Sequence, residues 1–70
     1  MKTTFSQHVG NRIRTIRKRM RLTQKELAED SGLSVSFLSD VENGKRSVAL
    51  VRAVNIAHAL GVPLAYLLPA

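Results

Sequence analysis

Apolar residues recur at spacings of three and four along the first twenty positions of the chain, at Phe5, Val9, Ile13, Ile16 and Met20. Because an α-helix has about 3.6 residues per turn, this spacing places them on one face and leaves the intervening arginines on the other faces. Thr4 and Gln7 stand at the start of this stretch at the spacing of a capping box. The pattern therefore predicts an amphipathic first helix.

Two short helices are predicted next, because start and stop signals occur twice between residues 23 and 44. The first helix opens on Thr23, with Glu26 completing a capping box, and ends at Gly32. The second opens on Ser34 and ends at Asn43 and Gly44. Two helices of about eight residues joined by a tight glycine turn are typical of a helix-turn-helix, here about residues 23–43. Plain helical bundles also contain such pairs, so spacing alone does not decide the function.

Two more helices are predicted in the remainder of the chain. One covers about residues 50–60, ends at Gly61, and has an inner face formed by Leu50, Ala53, Val54, Ala57 and Leu60. Ser47 is its candidate cap. The last helix carries Pro63 in its first turn and runs through Leu68. No alternating β-branched run predicts a strand, so we expect an all-α fold, a single domain over residues 1–70 with five helices around one core.

The charge of the chain indicates the class of its partner. Eleven Lys and Arg stand against five Asp and Glu, a formal net charge of +6. The isoelectric point of about 10.9 lies above the value of about 9 that is typical of nucleic-acid-binding domains. No acid precedes Glu26, and all five acids fall between Glu26 and Glu42. This segregation favours binding to nucleic acid. The two alternatives are a basic helix that is only solvated and a helix that lies on a membrane surface.

Composition excludes several other classes. The chain has no cysteine, so disulfides and thiolate chemistry are excluded, and no apolar run long enough to cross a membrane or to form a signal peptide. We expect a cytoplasmic protein of a bacterium or phage, with no membrane association. His8 and His58 fall on different predicted helices without neighbouring ligands. We therefore expect no enzymatic activity, no metal site and no cofactor.

From about residue 9 to residue 68 the chain closely resembles the Xre family of helix-turn-helix regulators, which includes lambda-repressor and Cro-like proteins. Three runs carry the resemblance at the family's usual separations, LTQKELAEDSGLS, ENGKR and ALGV. The resemblance implies a lambda-repressor-like five-helix fold. It also implies a dimeric repressor or controller protein that binds an inverted-repeat operator in double-stranded DNA through the third helix.

The same resemblance implies four base-reading residues on the third helix, Val35, Ser36, Phe37 and Asp40. None can make a bidentate contact to guanine or adenine, whereas Val35 and Phe37 can touch a thymine methyl group and Asp40 can accept from cytosine N4. In an alternative interpretation Phe37 is partly core and Asp40 only caps or pairs locally. The scarcity of base readers gives more weight to DNA shape and to phosphate contacts, for which the candidates are Thr23, Gln24, Ser39, Asn43, Lys45 and Arg46.

A structural ion pair is predicted between Arg17 and Glu42. Glu42 stands at the C-terminal end of the third helix, where a carboxylate opposes the helix dipole unless a cation compensates it. The family places an arginine of the first helix opposite this glutamate, and Arg17 occupies the matching position. The alternative is that both side chains are solvated.

The end of the chain predicts an interface. It carries more apolar side chains than one short helix can turn toward a single core. Val62 and Leu67 are expected to face inward, and the interface of a two-fold homodimer is expected to contain Val51, Leu64, Tyr66 and Leu68. Family members commonly dimerise through this region. In the alternative interpretations this surface docks onto a toxin, which makes the chain an antitoxin, or onto the C-terminal domain of a larger regulator.

Overall fold

Four α-helices make up most of the fold. The computed structural model describes residues 3–69 and contains α1 (Phe5–Arg19), α2 (Gln24–Ser31), α3 (Val35–Glu42), α4 (Leu50–Leu60) and a 3₁₀ helix (Leu64–Leu67). These described residues include no strand, so the all-α prediction is confirmed. α1 packs mainly against α3, α2 packs mainly against α4, and the 3₁₀ helix lies against α4 and α1. Within residues 3–69 no helix is long and apolar enough to span a membrane.

Local hydrogen bonds start the first three helices at the predicted positions. Thr4 and Gln7 form a capping box, with hydrogen bonds of 3.1 and 2.9 Å. Thr23 and Glu26 form a second one at 3.0 and 2.9 Å, and Ser34 caps α3. Hydrogen bonds from the backbone and side chain of Thr23 lower the pKa of the Glu26 carboxyl. The stabilisation that the ionised Glu26 carboxylate gives this cap is therefore complete above the ordinary carboxyl pKa and is lost as the pH falls through the lowered value.

The core lies between the four helices and is closed by the 3₁₀ helix. It is formed by Val9, Ile13, Ile16, Leu27, Ala28, Leu38, Val41, Ile56, Ala57, Leu60 and Leu67. The predicted apolar face of the first helix is wrong at both ends, because the side chains of Phe5 and Met20 are exposed. α1 has 15 residues and α3, on which it mainly packs, has 8. At about 1.5 Å per residue, α1 therefore extends well beyond α3.

The predicted inner face of α4 is also partly wrong. Leu50 and Val54 are exposed, whereas Ile56 is fully buried. Ala53, Ile56, Ala57 and Leu60 follow the spacing i, i+3, i+4 and i+7, which is the spacing of a single helical face. Leu50 and Val54 lie on the flank of that face and remain in contact with solvent.

The predicted fifth α-helix is instead one turn of 3₁₀ helix. Its hydrogen bonds join residues three apart, Tyr66 N to the Pro63 carbonyl at 3.0 Å and Leu68 N to the Ala65 carbonyl at 3.2 Å. Pro69 has no backbone N–H and so cannot extend the turn. Leu67 is fully buried and anchors the turn on the core, as predicted, while Val62 is half-buried.

The start of α4 differs from the prediction as well. Its N-cap is Ala49, which offers no side-chain hydrogen bond, so Ser47 is not the cap. The Ser47 hydroxyl instead lies 3.1 Å from the hydroxyl of Ser6 on α1. Ser47 stands two residues before the cap position, and its side chain joins the loop to α1.

Gly10 sets the distance between α1 and the end of α3. A Cβ atom at this position would collide with the backbone carbonyl oxygens of Val41 and Glu42. Because these are backbone atoms near the end of α3, no side-chain rotation relieves the collision. The absence of a side chain at Gly10 therefore allows the C-terminal end of α3 to pack closely on α1, the helix that carries Arg17.

Candidate nucleic-acid interface

α2, a tight turn and α3 form the helix-turn-helix. Each helix has 8 residues, and the turn begins at Gly32 with φ of +71°. Glycine adopts this left-handed conformation at little steric cost, and the following Leu33 N–H donates to the Ala28 carbonyl at 2.8 Å. The turn thus ends α2 where the sequence predicts and redirects the chain into Ser34, the cap of α3.

The outer side of α3 contains the predicted base-reading residues. Val35 is 42% exposed and Ser36 is exposed, whereas Phe37, Ser39 and Asp40 are half-buried. The opposite side is buried and consists of Leu38, Val41 and Glu42. Val35 and Ser36 in the first turn are therefore the residues of α3 most accessible to a ligand.

Phe37 and Asp40 both contact arginines outside α3. The guanidinium carbon of Arg46 lies over the Phe37 ring, 5.1 Å from its centre, and that of Arg52 lies 5.4 Å from the centre. Arg46 Nε is also 4.0 Å from Asp40 Oδ2. This local pairing offsets the negative charge that Asp40 would otherwise bring to a polyanionic ligand.

A buried polar network joins α1, α2 and α3 on the inner side of α3. Arg17 Nε and Nη2 donate to the two carboxylate oxygens of Glu42 at 2.7 and 3.0 Å, and Arg17 Nη1 donates to the Leu22 carbonyl at 2.8 Å. Gln24 Nε2 donates to Glu42 Oε1 at 3.0 Å, and Arg14 Nε lies 3.9 Å from the same oxygen. Glu42 is 1% exposed, and within residues 3–69 no buried side-chain N or O atom lacks a partner. The network fixes the N-terminus of α2 and the C-terminus of α3 to α1.

The candidate phosphate-binding residues lie at two places next to α3. Thr23 and Gln24 stand at the N-terminus of α2, where unpaired backbone N–H groups and the helix dipole favour an anion. The other group consists of half-buried Ser39 on α3, Asn43 at its C-cap, and exposed Lys45 and Arg46 in the loop that follows. One N–H of the Gln24 amide is used by Glu42, and the amide has a second donor.

Sequence reasoning missed two arginines at this surface. Arg52 lies in the first turn of α4, and its contact with Phe37 results from packing between segments distant in sequence, which no local pattern indicates. Arg14 stands three residues before Arg17, so helical spacing could have placed it near Glu42.

The predictions of no metal and no cofactor remain predictions. Within the part of the chain that the structure describes, no three His, Asp or Glu side chains gather as metal ligands would. His8 lies on α1 and His58 near the end of α4.

Comparisons with known proteins agree with the helix-turn-helix geometry. The family described as helix-turn-helix matches residues 13–67. The immunity repressor protein of Bacillus phage phi105 is 44% identical over 54 residues, which cover 77% of this chain and 38% of that protein. Control protein C.MunI of a Mycoplasma species is 37% identical over 59 residues, or 83% of this chain and 80% of that protein.

A solved structure shows the same similarity. The restriction-modification controller protein C.AhdI of Aeromonas hydrophila superposes with a TM-score of 0.86 at 37% identity, covering 89% of this chain and 94% of that one. Fold and sequence therefore define a DNA-binding regulator of transcription. The chain belongs to the helix-turn-helix family, and the relatives named here are a repressor, a control protein and a controller protein. It spans little more than a third of the phage repressor's length, 38%.

Proposed function

We propose that the chain represses transcription as a homodimer that binds an inverted-repeat operator, with α3 of each subunit in a major groove. The observation that carries this proposal is the exposed outer side of α3, where Val35 and Ser36 of the first turn face solvent and the exposed cations Lys45 and Arg46 lie in the loop that follows the helix. A helix with its side chains is about 10–12 Å across, and the major groove of B-DNA is about 12 Å wide. A repressor acts where chromosomal DNA lies, so this proposal implies a cytoplasmic location.

In this arrangement base reading is sparse and phosphate binding is extensive. Val35 contacts a thymine methyl group and Ser36 donates to or accepts from a base edge, while Phe37 and Asp40 stand behind them. The phosphate contacts come from Thr23, Gln24, Ser39, Asn43, Lys45 and Arg46. Much of the sequence preference then arises from the energy of deforming the DNA.

Exposed apolar side chains on α4 and the 3₁₀ helix support the dimer. Val51 is 72% exposed, Leu50 67%, Tyr66 54% and Val54 45%. Leu64 and Leu68, the other predicted interface residues, are half-buried against the core and offer less surface. An interface on the outer side of α4 and at Tyr66 would remove the exposed groups from water. Two-fold symmetry would set the two recognition helices about 34 Å apart, on successive major grooves.

Selection of bound sequences from random duplex DNA tests the operator. We expect enrichment of an inverted repeat whose half-sites are about 10 base pairs apart, centre to centre. For each bound chain, Ser36→Ala should lower operator affinity about twofold to tenfold, the net effect of one hydrogen bond, and leave affinity for unselected DNA unchanged. Thr15→Ala, on an exposed part of α1, is the matched control and should change neither. Absence of any enriched sequence would contradict operator binding.

Sedimentation equilibrium without DNA tests the dimer. Wild type should be dimeric at high micromolar concentration. The double variant Val51→Asp, Tyr66→Asp should raise the dimer Kd at least about tenfold, because two unpaired carboxylates per chain would be buried. Met20→Asp introduces one such carboxylate on a comparably exposed residue (52%) at the C-cap of α1 and should dimerise normally. A monomeric wild type would favour the alternatives in which this surface docks onto a toxin or another domain of a larger regulator.

A further inference from the structure

Two arginines from different segments meet at one aromatic side chain of the recognition helix. Arg46 belongs to the loop after α3 and Arg52 to the first turn of α4, and their guanidinium carbons lie 5.1 and 5.4 Å from the centre of the Phe37 ring. Phe37 lies in the first turn of α3, directly after Val35 and Ser36. Its ring is half-buried and packs against the core, so the position of the ring is set by the fold.

Stacking on a ring leaves an arginine able to bind another group. A guanidinium is planar and carries five N–H donors directed outward in its own plane. When its face lies over an aromatic ring, attraction to the ring's negative face holds the cation in place, and the donors at its edge stay available to a phosphate. A carboxylate partner would occupy those donors instead. Arg46 has such a partner only at 4.0 Å, at Asp40.

We propose that Phe37 is a positioning residue for binding of the DNA backbone and that Arg52 is a phosphate-contacting residue of the same interface. The ring holds Arg46 and Arg52 beside the first turn of α3 before DNA binds, which reduces the side-chain freedom lost in forming two phosphate contacts. This inference rests on the proposed docking of α3 and replaces the assignment of Phe37 as a reader of a thymine methyl group.

The positioning role of the Phe37 ring is tested by substitutions at that residue. Phe37→Leu keeps an apolar side chain for the core but removes the aromatic face. For each chain bound to DNA, we expect a loss of affinity of about twofold to fivefold, equal on the selected operator and on random duplex. Phe37→Tyr keeps the aromatic face and should bind like wild type. A residue that read a base would instead lose operator affinity selectively.

The role of Arg52 is tested by a double-mutant cycle with Phe37. Arg52→Gln should lower the slope of log affinity against log salt by about 0.9 for each bound chain, the change expected when one phosphate contact is lost. In the Phe37→Leu background the same substitution should cost less affinity, because Arg52 is no longer held in place. Arg19→Gln, an exposed cation on α1, is the control and should be additive with Phe37→Leu.

A measurement on the free protein keeps the inference testable if Phe37→Leu fails to fold. Side-chain protons of Arg46 and Arg52 should show upfield ring-current shifts in wild-type NMR spectra, since both lie over the ring. Ordinary shifts for both, additive effects of Phe37→Leu and Arg52→Gln, or a loss confined to the operator would each overturn the inference. Wild type that binds no duplex DNA would overturn the proposed function itself.

Discussion

Raising the salt concentration from about 50 to 200 mM should lower DNA affinity by roughly 10³ to 10⁵. Each phosphate neutralised by a protein cation releases condensed counterions, and a dimer making about six to ten such contacts gives a slope of that size. The net charge of +6 and the lack of Arg, Asn or Gln on the outer side of α3 both favour phosphate contacts over base contacts. Fluorescence anisotropy with labelled operator at a series of salt concentrations measures the slope.

Variants that each lack one positive charge identify the residues that contribute to the slope of log affinity against log salt. Lys45→Gln, in the loop after α3, should lower the slope by about 0.9 per bound chain, on operator and random duplex alike. Lys18→Gln removes another exposed charge, from the end of α1, and should change the slope less. A nearly flat plot of log affinity against log salt would rule out an interface dominated by phosphate contacts.

Removing one partner of the Arg17 and Glu42 pair should destabilise the protein by about 3 to 5 kcal/mol, because the other charge stays buried after losing its main partner. Glu42 is 1% exposed and accepts from both Arg17 and Gln24, so Glu42→Gln or Arg17→Met strands several polar groups at once. At about 4–8 °C per kcal/mol for a domain of this size, the thermal midpoint should fall by more than roughly 12 °C. Chemical denaturation followed by circular dichroism measures the free energy of unfolding.

Two further variants test whether the loss of stability comes from burial of the charges and not from the loss of an ion pair as such. Asp40→Asn alters the exposed pair with Arg46, whose side chains are 42% and 55% accessible, and should cost at most about 1 kcal/mol. The double variant Arg17→Met, Glu42→Leu replaces both buried charges by apolar groups and should recover much of the stability lost in either single variant. Unchanged denaturation midpoints for both single variants would indicate that the pair is solvated and contributes little.

The start signals of α1, α2 and α3 and the end signals of α2 and α3 could be predicted from the sequence because their causes are local. A capping box needs two side chains three residues apart, as in Thr4 with Gln7 and Thr23 with Glu26. Gly32 ends α2 through its own backbone conformation. The charge of +6 is likewise a property of composition alone. These features predicted an all-α fold with the spacing of a helix-turn-helix and favoured a polyanionic partner, and the resemblance to a known family then implied binding to double-stranded DNA.

The tertiary structure decided the features that depend on distant segments. Phe5, Met20, Leu50 and Val54 match an apolar helical pattern, but whether each is buried depends on where the neighbouring helices lie and how far they extend. The 3₁₀ turn forms between two prolines in a segment too short to propagate an α-helix. The contact of Arg52 with Phe37 joins residues on two helices, α4 and α3. Local spacing carries no information on such contacts, because they arise from packing between elements and not from the periodicity of one helix.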